Sequence, residues 1–190
     1  MLSIHGFFAA VVTTAPVQAS SSSDVEVRSV RFNLLHAPNT AARWFEADVE
    51  VAVRATGVVR FVDHVRVTLS LGLKTAGPGT HRYFRAAAEA PTLGAGAAHF
   101  RFYLPAEVVK RDGLRGEADL WAAELSVDGR PQPLSTHAAA TALRDPAQFR
   151  QFQGMVAAEA PAADGILQPQ YLTPFAAEYP RETPAFVRRN

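Results

Sequence analysis

Between residues 24 and 136 apolar and polar side chains alternate in short runs with a period of two, and the longest run is Val58–Leu73. Its odd positions are Val59, Phe61, Asp63, Val65, Val67, Leu69 and Leu71, apolar except for Asp63; its even positions are Val58, Arg60, Val62, His64, Arg66, Thr68 and Ser70, mostly polar. This period, with many β-branched residues, predicts a long half-buried strand that needs a partner on each edge and a second apolar layer against its odd face.

The flanking runs supply those partners. Asp24–Leu35 predicts a first strand, apolar at Val25, Val27, Val30 and Phe32, and the change of parity between Val27 and Val30 marks a bulge. Arg43–Arg54 predicts a second, with Phe45, Ala47, Val49, Val51 and Val53 inward and Trp44, Glu46, Asp48, Glu50 and Arg54 outward. Read as a hairpin through Ala55-Thr56-Gly57, these strands set Glu46, Asp48 and Glu50 beside Arg60, His64 and Arg66 on one solvated face. After a Lys74–Thr80 loop, Arg82–Ala90 and Ala98–Leu104 read as strands separated by a break at Pro91–Gly96, with Tyr83 and Arg85, then His99, Arg101 and Tyr103, outward. Pro105–Lys110 reads as a short helical turn closed by Gly113. Gly116–Val127 is a strand with Trp121 as a core anchor, and Asp128-Gly129 is a hairpin signal leading into Pro131–Thr136, whose prolines suit a sheet edge. Seven strands joined by several tight turns imply a mostly β protein, an antiparallel immunoglobulin-like sandwich over residues 24–137, with an open barrel as the alternative.

Beyond residue 137 the period lengthens. Asp145-Pro146 is an N-cap followed by proline at the first helical position, and Phe149, Phe152 and Val156 form the apolar stripe of a helix ending near Ala160. Pro161–Asn190 carries five prolines among large apolar residues, too many of the latter for a disordered tail. Residues 138–190 therefore read as a helix and an extended tail that wraps over the sandwich or docks onto a partner, with Tyr171, Leu172 and Phe175 as the partner-binding anchors.

Composition narrows the setting. In 190 residues, 48% apolar and 19% charged, the chain has enough apolar material for one globular domain with extensions. A net charge of +1 argues against a nucleic-acid partner. Lys74 and Lys110 stand against 17 arginines, a skew that points to a GC-rich genome. Without cysteine there are no disulfides and no thiolate metal sites. Residues 1–19 read as a signal peptide, with an apolar run at Ile4–Val12 and small residues around Val17-Gln18-Ala19, although only His5 stands where a positive n-region belongs. Residues 20–23 are a serine leader, and the apolar run is too short to span a bilayer. The implied location is the periplasm or outer envelope of a bacterium, peripheral and not transmembrane.

Candidate chemistry is sparse. None of the six histidines shares a metal-ligand spacing with another. Asp63 is the odd residue on an apolar face, but a carboxylate mechanism wants a second acid beside it. There is no Gly-x-Ser-x-Gly elbow, and KTAGPGTH lacks the lysine and hydroxyl of a phosphate loop in the right places. The expectation is a protein that is not an enzyme and carries no cofactor or metal. Binding stands in two forms: protein–protein contact, through the tail or an unpaired strand edge, or a sugar platform made of Trp44, Tyr83 and Tyr103 if those outward rings are not covered by the helix and tail.

The runs VRFN (Val30–Asn33), FVDHVRVTLSLG (Phe61–Gly72), FYLPAEVVKRDGL (Phe102–Leu114) and ILQPQYLTPF (Ile166–Phe175) resemble an immunoglobulin-like envelope protein of verrucomicrobia such as Akkermansia, associated with a type IV pilus-like gene cluster. The resemblance spans about residues 24–190. It implies an exported immunoglobulin-like sandwich working in pilus-like assembly or surface adhesion, with protein partners in the envelope, and it assigns no functional residue.

Overall fold

The alternating runs assemble into two four-stranded antiparallel sheets packed face to face. The computed structural model describes residues 24–54, 61–75 and 81–187; the signal-peptide and leader reading of residues 1–23, the Ala55–Gly57 turn, the start of the long run at Val58–Arg60 and most of the Lys74–Thr80 loop lie outside the described residues. The first sheet has the order β1 (Val25–His36), β2 (Arg43–Val53), β5 (Gly96–Leu104), β8 (Gln168–Pro169). The second has the order β4 (His81–Gly94), β3 (Phe61–Lys74), β6 (Leu120–Val127), β7 (Arg130–Pro131). Strands one, two and five facing four, three, six and seven is the immunoglobulin-like arrangement, so the sandwich holds and the barrel alternative falls.

Inward rows from both sheets form the core: Phe45, Val49 and Val51 from β2, Phe100 and Phe102 from β5, and Val65, Val67, Leu69, Leu71 and Leu73 from β3 are all buried. The expected bulge is present, as a register shift between Val27 and Ser29 in the pairing of β1 with β2. Asp128 (φ 49°) and Gly129 (φ 74°) are both left-handed, as a two-residue hairpin turn requires, and they join β6 to β7.

Several sequence expectations are corrected. Strands β2 and β3 do not form a hairpin but lie in different sheets: β2 pairs with β1 and β5, where Glu50 meets Arg28 and Arg31 of β1 and Asp48 meets His99 and Arg101 of β5. Asp63 is exposed, not on the core face. His64, at φ +50° and opposite the stretch around Pro91, reverses the parity of the strand, so that Val62 packs against the core while Phe61 and Asp63 turn to solvent. Pro91 does not end β4, which pairs with β3 as far as Gly94; β4 is the outermost strand of its sheet, where a missing N–H is tolerated. The sixth strand starts at Leu120, and Trp121 is half-buried against Phe32 (ring centroids 5.6 Å apart), so it borders the core and does not anchor it. The strand after Gly129 is two residues long.

Helix α1 (Ala106–Asp112) follows Pro105 and is closed by Gly113 at φ 65°. Helix α2 (Pro146–Glu159) begins as its sequence predicts, with the Asp145 carboxylate accepting the Ala147 N–H at 2.8 Å. Asp145→Ala is expected to cost about 1 kcal/mol in thermal or denaturant unfolding, with faster amide exchange confined to the first turn of α2. The helix lays Phe152 and Val156 on the outside of the second sheet against Tyr83 and Ala122. It reaches the sheet over Gly72, where even a methyl group would stand 3.0 Å from the Tyr83 ring and 3.4 Å from that of Phe152. The tail then returns to the sandwich: Leu167 joins the main core and β8 pairs with β5. The helix and tail after residue 137 are thus packed on the sandwich.

Candidate functional site

The outer face of the first sheet carries a ladder of opposite charges that follows from register alone. Outward positions of β2 are acidic, and pairing sets Glu46 beside Tyr103, Asp48 beside Arg101 and Glu50 beside His99 of β5, with Asn33, Arg31 and Ser29 of β1 on the other flank. The Tyr103 hydroxyl donates to Glu46 at 2.7 Å, the Asn33 amide donates to the same carboxylate at 3.2 Å, and His99 Nδ1 lies 2.9 Å from Asp48. This face was expected to be solvated, yet Glu46, Arg101 and Tyr103 are buried.

The tail covers it. Phe175 stacks flat on Tyr103, with centroids 4.4 Å apart, and meets Trp44 edge-on at 5.8 Å. The Tyr179 ring lies 4.2 Å from the Arg101 guanidinium, which donates to Glu182 at 2.7 Å and to Thr183 at 3.0 Å. Gln170, itself buried, donates to the carbonyls of Phe175 and Glu178 and accepts from Thr183, which fixes the fold of the tail above the sheet. Further on, Phe186 packs against Phe100 and Tyr171, and the Val187 N–H donates to the Glu89 carbonyl of β4. The tail thus closes the side of the sandwich between β5 and β4.

These contacts decide where the sequence-predicted residues stand. Trp44 and Tyr103 sit beneath Phe175, while Tyr83 lies on the other sheet beneath Phe152, with centroids 6.1 Å apart. The three rings share no surface, so the sugar platform is not formed. Of the proposed partner anchors, Phe175 is buried within the chain's own fold and Tyr171 is half-buried against Phe186; Leu172 alone is open, at 63% exposure. The tail spends its apolar groups on its own sandwich because β5 offers matching aromatic and charged positions. Sequence reading missed Arg101, Gln170, Glu182 and Thr183; the alternation His99, Arg101, Tyr103 against Glu46, Asp48, Glu50 was the available signal.

Burial, followed by the hydrogen bond to Glu46, pushes the Tyr103 hydroxyl well above the ordinary tyrosine range, and burial and then the Glu46 charge raise Tyr179. Both groups therefore favour the neutral form in the fold. Their stabilising contribution is complete below the unfolded tyrosine value of about 10 and is lost as pH rises above it. Denaturant unfolding followed from neutral to alkaline pH is expected to show stability falling beyond that point, and Tyr103→Phe should flatten the fall. An unchanged alkaline slope in that variant would count against it.

Among the described residues, no tail covers the opposite side of the sandwich. Between β1 and the segment from Gly113 to Asp119 runs a cleft of about 720 Å³, floored by Phe32, Leu34, Leu73 and Leu114. Gly116, at φ +102°, brings the far wall close to Leu34. Among the described residues, no group of three or more histidines and acids could hold a metal ion, and no helix is long and apolar enough to cross a membrane.

No family model matches the chain, and no curated protein matches it in sequence. Among solved structures, the fold is similar to that of a protein from Akkermansia muciniphila known by its crystal structure, with a TM-score of 0.68 at 15% identity. The match covers 87% of this chain and 94% of that one, more than a sandwich ending before residue 138 can account for, so the likeness in fold extends into the helix and tail.

Proposed function

We propose that this chain is a non-catalytic exported protein of the bacterial cell envelope that acts by protein–protein contact, in a type IV pilus-like assembly or in surface adhesion. The supporting observation is the uneven treatment of its sheet edges. Unpaired strands are templates for further strands, and proteins normally blunt them. Here β5 is paired by β8 and by the His99 N–H to the Glu182 carbonyl, β4 carries Pro91 and receives Val187, and β7 is two residues long and includes a proline. By contrast, from Ser29 to His36 no backbone of a described residue pairs with the outer side of β1. One long edge left open beside a cleft supports contact with another protein. Export is supported by the apolar run and small-residue site in residues 1–19.

The test is fractionation and affinity purification of the tagged full chain from the detergent-solubilised envelope of its own host. Recovery in the envelope or periplasm together with pilus or secretin-like components is the expected result. A chain found only in the cytoplasm, or one that retains no envelope protein, would end this reading.

A further inference from the structure

Resting on that reading, we infer that the cleft beside β1 receives an extended segment of a partner protein, added as a new edge strand, with alternate apolar side chains pointing into the sandwich and an acidic residue at one end. Three independent features of the cleft specify this occupant.

The first is the backbone. Strand β1 runs for twelve residues and, among the described residues, pairs on one side only. At its start the outer side is already engaged, since the Ser135 hydroxyl donates to the Val27 carbonyl at 2.8 Å. The bulge at Val27/Ser29 then separates that closed end from a regular stretch, paired with β2 without interruption from Ser29 to His36. A regular, unpaired edge satisfies an incoming strand in a way that a side-chain ligand cannot.

The second is the gap between the layers. On the other side of the sandwich the tail fills the equivalent space with Phe186 against Phe100. On this side Phe32 and Leu34 point toward the core and yet stay half-buried, with Leu114 beyond them. A strand added to β1 places every second side chain over these residues, because its pleat continues that of the sheet. Its apolar positions then complete the layer that the tail completes opposite.

The third is charge. Arg43, Lys74 and Arg115 rim the cleft, and none of them has an ion pair with a described residue. Asp119, one of the two acids on the rim, already accepts the Lys74 backbone N–H at 3.0 Å. Arg43 is paired in register with His36, so the cationic end of the cleft coincides with the end of the open edge. An acidic group there gains attraction without giving up any existing pair.

Selection of displayed random dodecapeptides on the purified full chain tests this directly. The enriched sequences are expected to alternate apolar and polar residues and to carry an acidic residue. A synthetic copy of the strongest binder should slow amide exchange within 29–36 and bind at least about tenfold more weakly to the triple variant Arg43→Glu, Lys74→Glu, Arg115→Glu. These three side chains are exposed, and unchanged thermal unfolding of the variant confirms that it is folded. Failure to enrich any sequence, or protection that falls on another strand, overturns the inference. The two readings separate cleanly. Envelope partners that still co-purify with the triple variant remove the cleft and leave the envelope role; a peptide bound at β1 in a chain that captures no envelope protein does the reverse.

Discussion

Phe175→Ala is expected to lower the free energy of unfolding by about 3–5 kcal/mol, the range for emptying a buried phenylalanine site. The ring is 3% exposed and lies between Tyr103, almost parallel at 6°, and Trp44, at 77°. Aromatic pairs of this kind contribute about 0.5–1.5 kcal/mol each beyond the area they bury. Collapse around the vacancy is restricted, because Gln170 holds the carbonyls on either side of the loop and Tyr103 is tied to Glu46. The lost ring also uncovers Tyr103 and admits water to the Glu46 carboxylate. A lower denaturation midpoint with a new protease-sensitive stretch between residues 176 and 187 is the expected outcome. A loss under about 1 kcal/mol would mean that the tail unfolds separately from the sandwich, contrary to the continuous packing seen at Leu167.

Arg101→Ala is expected to cost about 3 kcal/mol, the lower end of the range for breaking a buried ion pair. The guanidinium is almost fully enclosed and serves Glu182, Thr183, Asp48 and the Tyr179 ring at once. Its removal leaves the partners unequal. Glu182 is 56% exposed and recovers water, whereas Asp48 is left with His99 as its ion-pair partner among the described residues. That inequality sets the estimate at the lower end. Arg101→Lys should restore little, since one ammonium cannot reproduce two divergent hydrogen bonds and a flat contact with Tyr179. Stability equal to wild type in the lysine variant would show that charge alone, without the fork, holds the tail.

Elements whose cues are local were readable in the sequence. The parity slip at Val27, the left-handed Asp128-Gly129 pair, the Asp145 cap and the inward rows of β2 and β5 each depend on a few neighbouring residues, and each is found as expected. What was not readable depends on pairing between distant segments. The reversal at His64 turns on one backbone angle, and β2 was assigned a neighbour by its closeness in sequence although its charges match β5 better. The tail shows the same limit: Phe175 looks like an anchor for a partner until Tyr103 is known to lie beneath it. The cleft beside β1 left no mark at all, since Phe32, Leu73 and Leu114 come from three separate parts of the chain.

The tail that closes β5 also imposes an order on folding. Arg101 and Glu182 are 81 residues apart, and the β5 edge has no other described backbone partner on that side than the residues around Pro169 and Glu182. Loops of this length close late, because the entropy of joining their ends must be overcome before the contacts form. While the chain is being made, the sandwich strands are complete well before their cover arrives. During that interval β5, with Phe100 and Phe102 behind it, is a sticky template for a second nascent chain. A slower supply of chain during synthesis is therefore expected to raise the yield of folded protein, with no change in the finished molecule.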